Sequence, residues 1–410
     1  MYCLCSSRRR HILVCSRVDC TLNLLLSMEI FITYFLRYTM QVERMVKAAV
    51  VKEFKAPSLE IMEFPLPEVE PNDVLLKVKL AAICGSDVHK FKGEWFWPTP
   101  IIPGHEATGE VYQLGSNVKT DWCGKPIAEG DMVVYSSYYH CGKCFYCVKG
   151  EPTMCVNREE LGGTITCDKP PHLNGAYAEY IYLKHHFPIF KAPENLSPEV
   201  LAPLNCACST VMHGIQKIGL KPADSVVVLG TGGLGFYAIA IAKALNASKV
   251  IVTDMIDQRL KLAEEFGADY TINIKEYEKP EDLINKILGL SNHGFGADLV
   301  IDVTGHSSSL IPQGIRMLRK GGRYLEIGGD ANMHSSSPII ASSFVPDSKV
   351  IMGVRNFSPI HLLQSLNFTQ AHTDDFPFEK IISHKFKLEE INEAFRVASS
   401  REAIRVGITP

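Results

Sequence analysis

The stretch VVVLGTGGLGFYAIAIAKAL, residues 226–245, decides the fold. Its first five residues form a short apolar run rich in β-branched side chains, the signature of a strand buried on both faces. Leu234 to Leu245 is apolar at helical length. Between them GTGGLG, residues 230–235, matches G-x-G-x-x-G where a strand must turn sharply into a helix. The hexamer alone is a weak signal, but between a buried strand and a helix it is a strong one. Gly230 permits the tight turn, Gly232 lets a pyrophosphate approach the backbone, and Gly235 lets the helix pack on the strand. The helix N-terminus then favours the anion.

Working outward, VIVTD (250–254) reads as the next strand and Gln258 to Phe266 as the next helix. Strand and helix signals go on alternating through DLVID (298–302) and RYLEIGG (323–329). Such alternation predicts βαβ units and a doubly wound parallel sheet, the Rossmann α/β arrangement. Asp254 ends the second strand, 24 residues after Gly230, where a carboxylate can accept from the adenosine ribose hydroxyls. Its charge would repel a 2′-phosphate, and Met255 and Ile256 bring no arginine to compensate, so NAD is favoured over NADP. The expected cofactor-binding set is Gly230, Gly232, Gly233, Leu234, Gly235, Asp254 and Arg259.

Upstream, from Met45 to about 205, the chain reads as β-rich, with strands at Val74 to Ile83 and Asp131 to Tyr135 separated by Gly/Pro/Asn turns. After about 345 the pattern becomes mixed again, so the chain is expected to return to this first domain. The resulting division is 45–207 plus 346–410 for a catalytic domain and 208–345 for the dinucleotide domain. Residues 1–44 contain six arginines, no lysine and four cysteines, with no pattern that could join a core. They read as a non-native or disordered extension, with Met45 as the true start, in preference to a targeting leader. Glu29 interrupts the only apolar stretch there, which is too short to span a membrane.

With 410 residues, 46% of them hydrophobic, 21% charged, and a net charge of -3, the chain suits neither nucleic acid nor an anionic membrane as partner. A small-molecule substrate is expected. The thirteen cysteines are informative by position. Cys141, Cys144, Cys147 and Cys155 form C-x2-C-x2-C-x7-C, close enough for four thiolates to enclose one tetrahedral zinc as a structural site. The ferredoxin spacing differs in its last gap, and Val156 stands where that pattern has proline. In a chain of this size, clustered thiols imply metal in a reducing, cytoplasmic compartment. Cys84 in ICGSDVH and His105 in PGHEATGEV, 21 residues apart, mark a second and more open site.

CGSD at a strand end, GHE, the four-cysteine lobe and GTGGLG occur in that order, and in this the sequence resembles the zinc-containing medium-chain alcohol dehydrogenases from Met45 to Pro410. The resemblance implies a Rossmann domain joined to a β-rich GroES-like catalytic domain. It makes Cys84 and His105 ligands of a catalytic zinc and places Cys206, in LNCACSTVMHG, as the third ligand. Two thiolates and one imidazole leave a fourth position for substrate oxygen. By the same resemblance Ser86 takes the alcohol proton, His89 ends the relay to solvent, Asp87 orients the ligand imidazole, and Glu106 is the acid beside the zinc, a possible transient ligand. Cys208 is expected to be buried packing.

The activity implied is NAD- and zinc-dependent interconversion of an alcohol with its aldehyde or ketone, with two zinc ions per chain and a homodimer or homotetramer. Polyol and amino-alcohol dehydrogenases are the nearest alternative, although they carry glutamate where Cys206 stands. A catalytically silent zinc- and NAD-binding protein would lack a ligand or relay residue, and none is missing. Trp95, Phe96 and Trp97 suggest an aromatic pocket lining or, equally, packing within the domain. The segment Asn157 to Gly175 reads as a subfamily-specific loop whose sequence names no substrate.

Overall fold

The computed structural model describes residues 44–55, 58–305, 307–328, 336–400 and 402–410. The expected extension therefore lies outside the described residues, apart from Arg44. Ser225–Leu229 forms strand β10, with every residue buried, because helices cover both faces of its sheet. It is the inner strand of a six-stranded parallel sheet ordered β12-β11-β10-β13-β14-β15. The other members are β11 (Lys249–Asp254), β12 (Tyr270–Asn273), β13 (Ala297–Asp302), β14 (Leu318–Glu326) and β15 (Val350–Gly353). Winding runs outward in both directions from β10, so the crevice at the carboxyl ends of β10 and β13 is the topological switch point.

The turn after β10 has the geometry its glycines predict. Gly230 sits at φ +91°, and a Cβ on Gly235 would lie 2.2 Å from the Gly230 carbonyl oxygen. The helix Gly233–Ala244 that follows is apolar nearly all round and packs into the core against Phe266, Val250 and Val252.

The second sheet has the order β16-β17-β3-β4-β5-β9, with β8 (Tyr180–Leu183) also paired to β3 (Val74–Ile83). Its remaining strands are β4 (Glu106–Leu114), β5 (Met132–Tyr135), β9 (Ile189–Lys191), β16 (Ile382–Lys387) and β17 (Arg405–Thr409). A separate core of Val78, Ile83, Trp97, Tyr177 and Phe395 fills this half. The GroES-like and Rossmann halves expected from the sequence are both present.

One boundary differs. The return expected near 346 comes later, because Val350–Gly353 pairs with β14 as the sixth parallel strand. The helix Pro359–Ala371 also belongs to the dinucleotide half: Leu362 and Leu366 share its core with Val211 and Ile215. A four-residue edge strand followed by a weakly amphipathic helix leaves little periodic signal, and the chain rejoins the second sheet only at β16.

Candidate active site and metal centres

Strand β3 delivers Cys84, which caps the helix Gly85–Phe91 that carries Ser86, Asp87, His89 and Lys90. The extended pair β3–β4 then sets His105 and Glu106 opposite the end of β3, with Ala82 in register with Glu106. Cys206 immediately precedes the helix Ala207–Ile218, in a non-helical conformation. These three chain segments bring one donor atom each from Cys84, His105, Glu106 and Cys206 within 4.8 Å of one another. The Cys84 and Cys206 sulfurs are 4.0 Å apart. Two thiolates on a tetrahedral zinc at its usual bond length would be about 3.8 Å apart, so the donor set fits that ion. Cys208, two residues on, is fully buried in the core, as expected.

Asp87 is wholly buried and does two things. One carboxylate oxygen accepts from the Cys84 backbone N–H (3.1 Å) and from the Tyr177 hydroxyl (2.8 Å). The other lies 3.2 Å from His105 Nδ1, a close charge contact outside hydrogen-bond geometry. Burial opposes charge on His105, but the Asp87 carboxylate outweighs it and raises the imidazole pKa.

Glu106 is fully buried, and burial pushes its carboxyl up to about 8 although Arg405 pulls the other way. Arg405 Nη1 donates to Glu106 Oε2, while Glu106 Oε1 has no hydrogen-bond partner. Sequence reading missed Arg405, whose side chain is only 4% exposed. It also touches the dinucleotide turn: a Cβ on Gly233 would fall 2.4 Å from Arg405 Nε, an atom that is buried without a partner. One guanidinium thus joins the carboxylate of the candidate metal cluster to the turn. The only signal in the sequence was an arginine opening a terminal strand, which is too common to single out.

Ser86 and His89 stand three residues apart on one face of their helix, and both are partly exposed. His89 Nδ1 is hydrogen-bonded to Glu94 Oε2 at 2.5 Å, a contact not anticipated from sequence. The three neighbouring aromatic residues diverge. Trp95 lies 5.1 Å from the His89 ring, Phe96 packs on Phe54, and Trp97 is buried in the catalytic core. They do not form a single aromatic wall.

In the four-cysteine lobe all four sulfurs lie within 4.8 Å of one another. Sγ–Sγ distances of 3.5 Å for Cys144–Cys147 and 3.9 Å for Cys144–Cys155 fit four thiolates around one ion. Asn157 Nδ2 and backbone N–H groups stabilise the Cys141 thiolate and lower its pKa to about 6.

At the switch point, Gly230, Asp254, Ile256, Arg259, Thr304 and Met317 line a cavity of about 600 Å³. Asp254 accepts four hydrogen bonds from the protein itself. Thr231 N and Oγ1 donate to Oδ2, each at 2.7 Å, and the Met255 and Ile256 amides donate to Oδ1. The lone pairs expected to receive ribose hydroxyls are thus already engaged. Arg259 Nη2 donates to the Ala403 carbonyl (2.6 Å), which ties the rim of this cavity to the segment leading into β17.

A parallel dinucleotide-type sheet beside a β-rich half with two sulfur-rich donor clusters defines a two-domain oxidoreductase of the dehydrogenase class. Residues 70–194 match the alcohol dehydrogenase GroES-like domain, and residues 233–370 match the zinc-binding dehydrogenase domain. The chain is 32% identical over 368 residues to the erythritol/L-threitol dehydrogenase of Mycolicibacterium smegmatis, covering 85% of this chain and 93% of that protein. It is 34% identical to an alcohol dehydrogenase of Geobacillus stearothermophilus, with 85% and 94% covered. The crystal structure of an alcohol dehydrogenase from Thermotoga maritima superposes with a TM-score of 0.84 at 33% identity, covering 90% of this chain and all of that one. The chain belongs to the zinc-containing medium-chain alcohol dehydrogenases. Polyol and L-threonine dehydrogenases stand among the relatives at comparable identity.

Proposed function

We propose that the protein oxidises an alcohol to its aldehyde or ketone, or reduces the carbonyl, with NAD as the hydride carrier. The single observation that carries this reading is the convergence of Cys84, His105 and Cys206 beside Glu106, with Arg405 linking that site to the dinucleotide turn. When bound, zinc supplies Lewis-acid polarisation of the substrate oxygen, and NAD takes or gives the hydride.

The chain's own residues do the rest. Ser86 receives the alcohol proton, and His89 passes it toward solvent with Glu94 as counter-charge. Asp87 orients the His105 ring, while Arg405 balances Glu106 and, beside Gly233, would help hold the dinucleotide. Asp254 disfavours a 2′-phosphate by its charge. We assign two zinc ions per chain, a reducing cytoplasmic setting and a homo-oligomeric state. Among the described residues no helix is long and apolar enough to cross a membrane.

The test is zinc quantification with a substrate panel, run with NAD and NADP in parallel. The native chain is expected to hold about two zinc ions. Cys206→Ser is expected to lower catalytic turnover at least about a hundredfold while leaving the four-cysteine zinc in place. Cys147→Ser is expected to lose that other ion and melt several degrees lower. Failure of the native, zinc-loaded protein to reduce either dinucleotide with any alcohol would end this reading.

A further inference from the structure

We propose that Glu160, flanked by Lys90 and Arg158, is the specificity-determining group of the substrate cleft and receives a hydroxyl carried on the carbon next to the reacting one. The inference rests on the alcohol-oxidising reading above and draws a substrate preference from the loop beginning at Asn157.

Three contacts place Glu160. The two-residue strands β6 (Tyr138–Tyr139) and β7 (Glu159–Glu160) pair antiparallel, with Tyr138 opposite Glu160. Directly opposed residues project from the same face of a ribbon. The Tyr138 ring lies 6.5 Å from the ring of His105 and packs edge-on against Phe357 at 5.4 Å. Two residues beyond β7, Gly162 closes against the segment that carries His105, where a Cβ would lie 2.0 Å from the Gly104 carbonyl oxygen. The Glu160 side chain itself lies on Gly163, whose missing Cβ leaves the room it occupies. Glu160 is thus held beside the metal-ligand cluster, and its position follows from the fold.

Its partners come from both sides. Lys90, next to His89 on the helix after Cys84, reaches Glu160 Oε1 at 3.5 Å, and Arg158 reaches Oε2 at 3.7 Å while lying over the Tyr138 ring. The Lys90 and Glu160 side chains are each 11% exposed and Arg158 is 19% exposed. These three charges are largely removed from water but each keeps a small exposed fraction.

At such separations the cations balance the carboxylate without donating a short hydrogen bond to it, so its acceptor capacity remains available. Charges this far buried are costly unless their hydrogen bonds are completed. A hydroxyl both donates and accepts. It can give its proton to Glu160 and take a hydrogen bond from Lys90, which neither a methyl group nor a phenyl ring can do. A substrate carboxylate would have to displace Glu160 from Lys90 and Arg158, which a neutral hydroxyl need not do. Vicinal diols and polyols therefore fit this corner better than simple alcohols or hydroxy acids.

The experiment compares initial rates of the full zinc-loaded chain with butane-2,3-diol, butan-2-ol and 3-hydroxybutanoate. The kcat/KM of the diol is expected to exceed that of butan-2-ol at least about tenfold, since a site built to hydrogen-bond a hydroxyl discriminates strongly against its absence. Glu160→Gln and Lys90→Met, checked for folding by thermal melting, are each expected to bring the ratio toward one. A ratio keeps shared losses from counting. The assignment is overturned by a native ratio near one, by a ratio unchanged in both variants, or by a preference for 3-hydroxybutanoate. Oxidation of butan-2-ol with no diol preference sinks the Glu160 assignment alone. No dinucleotide reduction with any alcohol sinks the proposed function and this assignment together.

Discussion

Arg405 is the residue on which the two halves of the site depend, and its replacement has a defined signature. Removing the guanidinium leaves Glu106 buried and unbalanced, a loss of about 3 kcal/mol for a pair of this kind. It also removes the donor beside the dinucleotide turn. Arg405→Met is expected to raise the KM for NAD at least about tenfold and to lower the denaturant midpoint. Arg405→Lys should fall between, since an ammonium lacks the planar fork that serves Glu106 and the turn at once. Equal NAD affinity in native and Met forms would remove Arg405 from the cofactor site. At this scale the sequence was readable wherever a residue type has few structural uses. Thiols at fixed spacing and a histidine in GHE point to metal by themselves. Arg405, Glu94 and Glu160 were invisible because charged residues are abundant and only three-dimensional neighbours distinguish them. Asp254 was found at its position, but its engagement with Thr231 depends on turn geometry that no motif encodes.

At the scale of elements, the helix Pro359–Ala371 carries an acid-sensitive cap. The Ser358 N–H donates to His361 Nδ1 at 3.1 Å, which requires that nitrogen to be unprotonated. The ring also lies 4.6 Å from that of His213. Burial first, and then the neighbouring His213, lower the His361 pKa to about 4. Burial lowers His213 as well. An unfolded histidine titrates near about 6.5. Between that pH and about 4 the unfolded chain takes up protons that the folded one refuses, so stability falls as pH drops through this window. His361→Gln keeps an acceptor for the cap and removes the titration. The melting-temperature difference between pH 7 and pH 5 is expected to shrink in that variant, and an unchanged difference would exclude His361 as the cause. This helix and β15 were also where sequence reading placed the domain return too early. The long parallel strands were legible because Val and Ile runs buried on both faces have no other common explanation. A short edge strand does not share that advantage.

For the whole molecule, Arg259 and Arg405 reach the cofactor turn and cavity from opposite sides of the domain junction, through Ala403 and Gly233. On the proposed function, NAD bound there would stabilise both halves as one body. At a hundredfold excess over its Kd the gain should be about 2.7 kcal/mol, read by calorimetry as a single transition moving upward. Two transitions, only one of which responds to NAD, would show that the halves unfold independently. The Arg405–Glu106 pair has a further consequence for biosynthesis. The two residues are 299 positions apart in the chain. At ribosomal speeds of about 5–20 residues per second, the carboxylate emerges about 15–60 s before its counter-ion. During that interval the β-rich half carries Glu106 without its counter-ion. The Arg405–Glu106 pair is therefore completed only once β17, which also sits between β3 and β16 in the sheet, has been made.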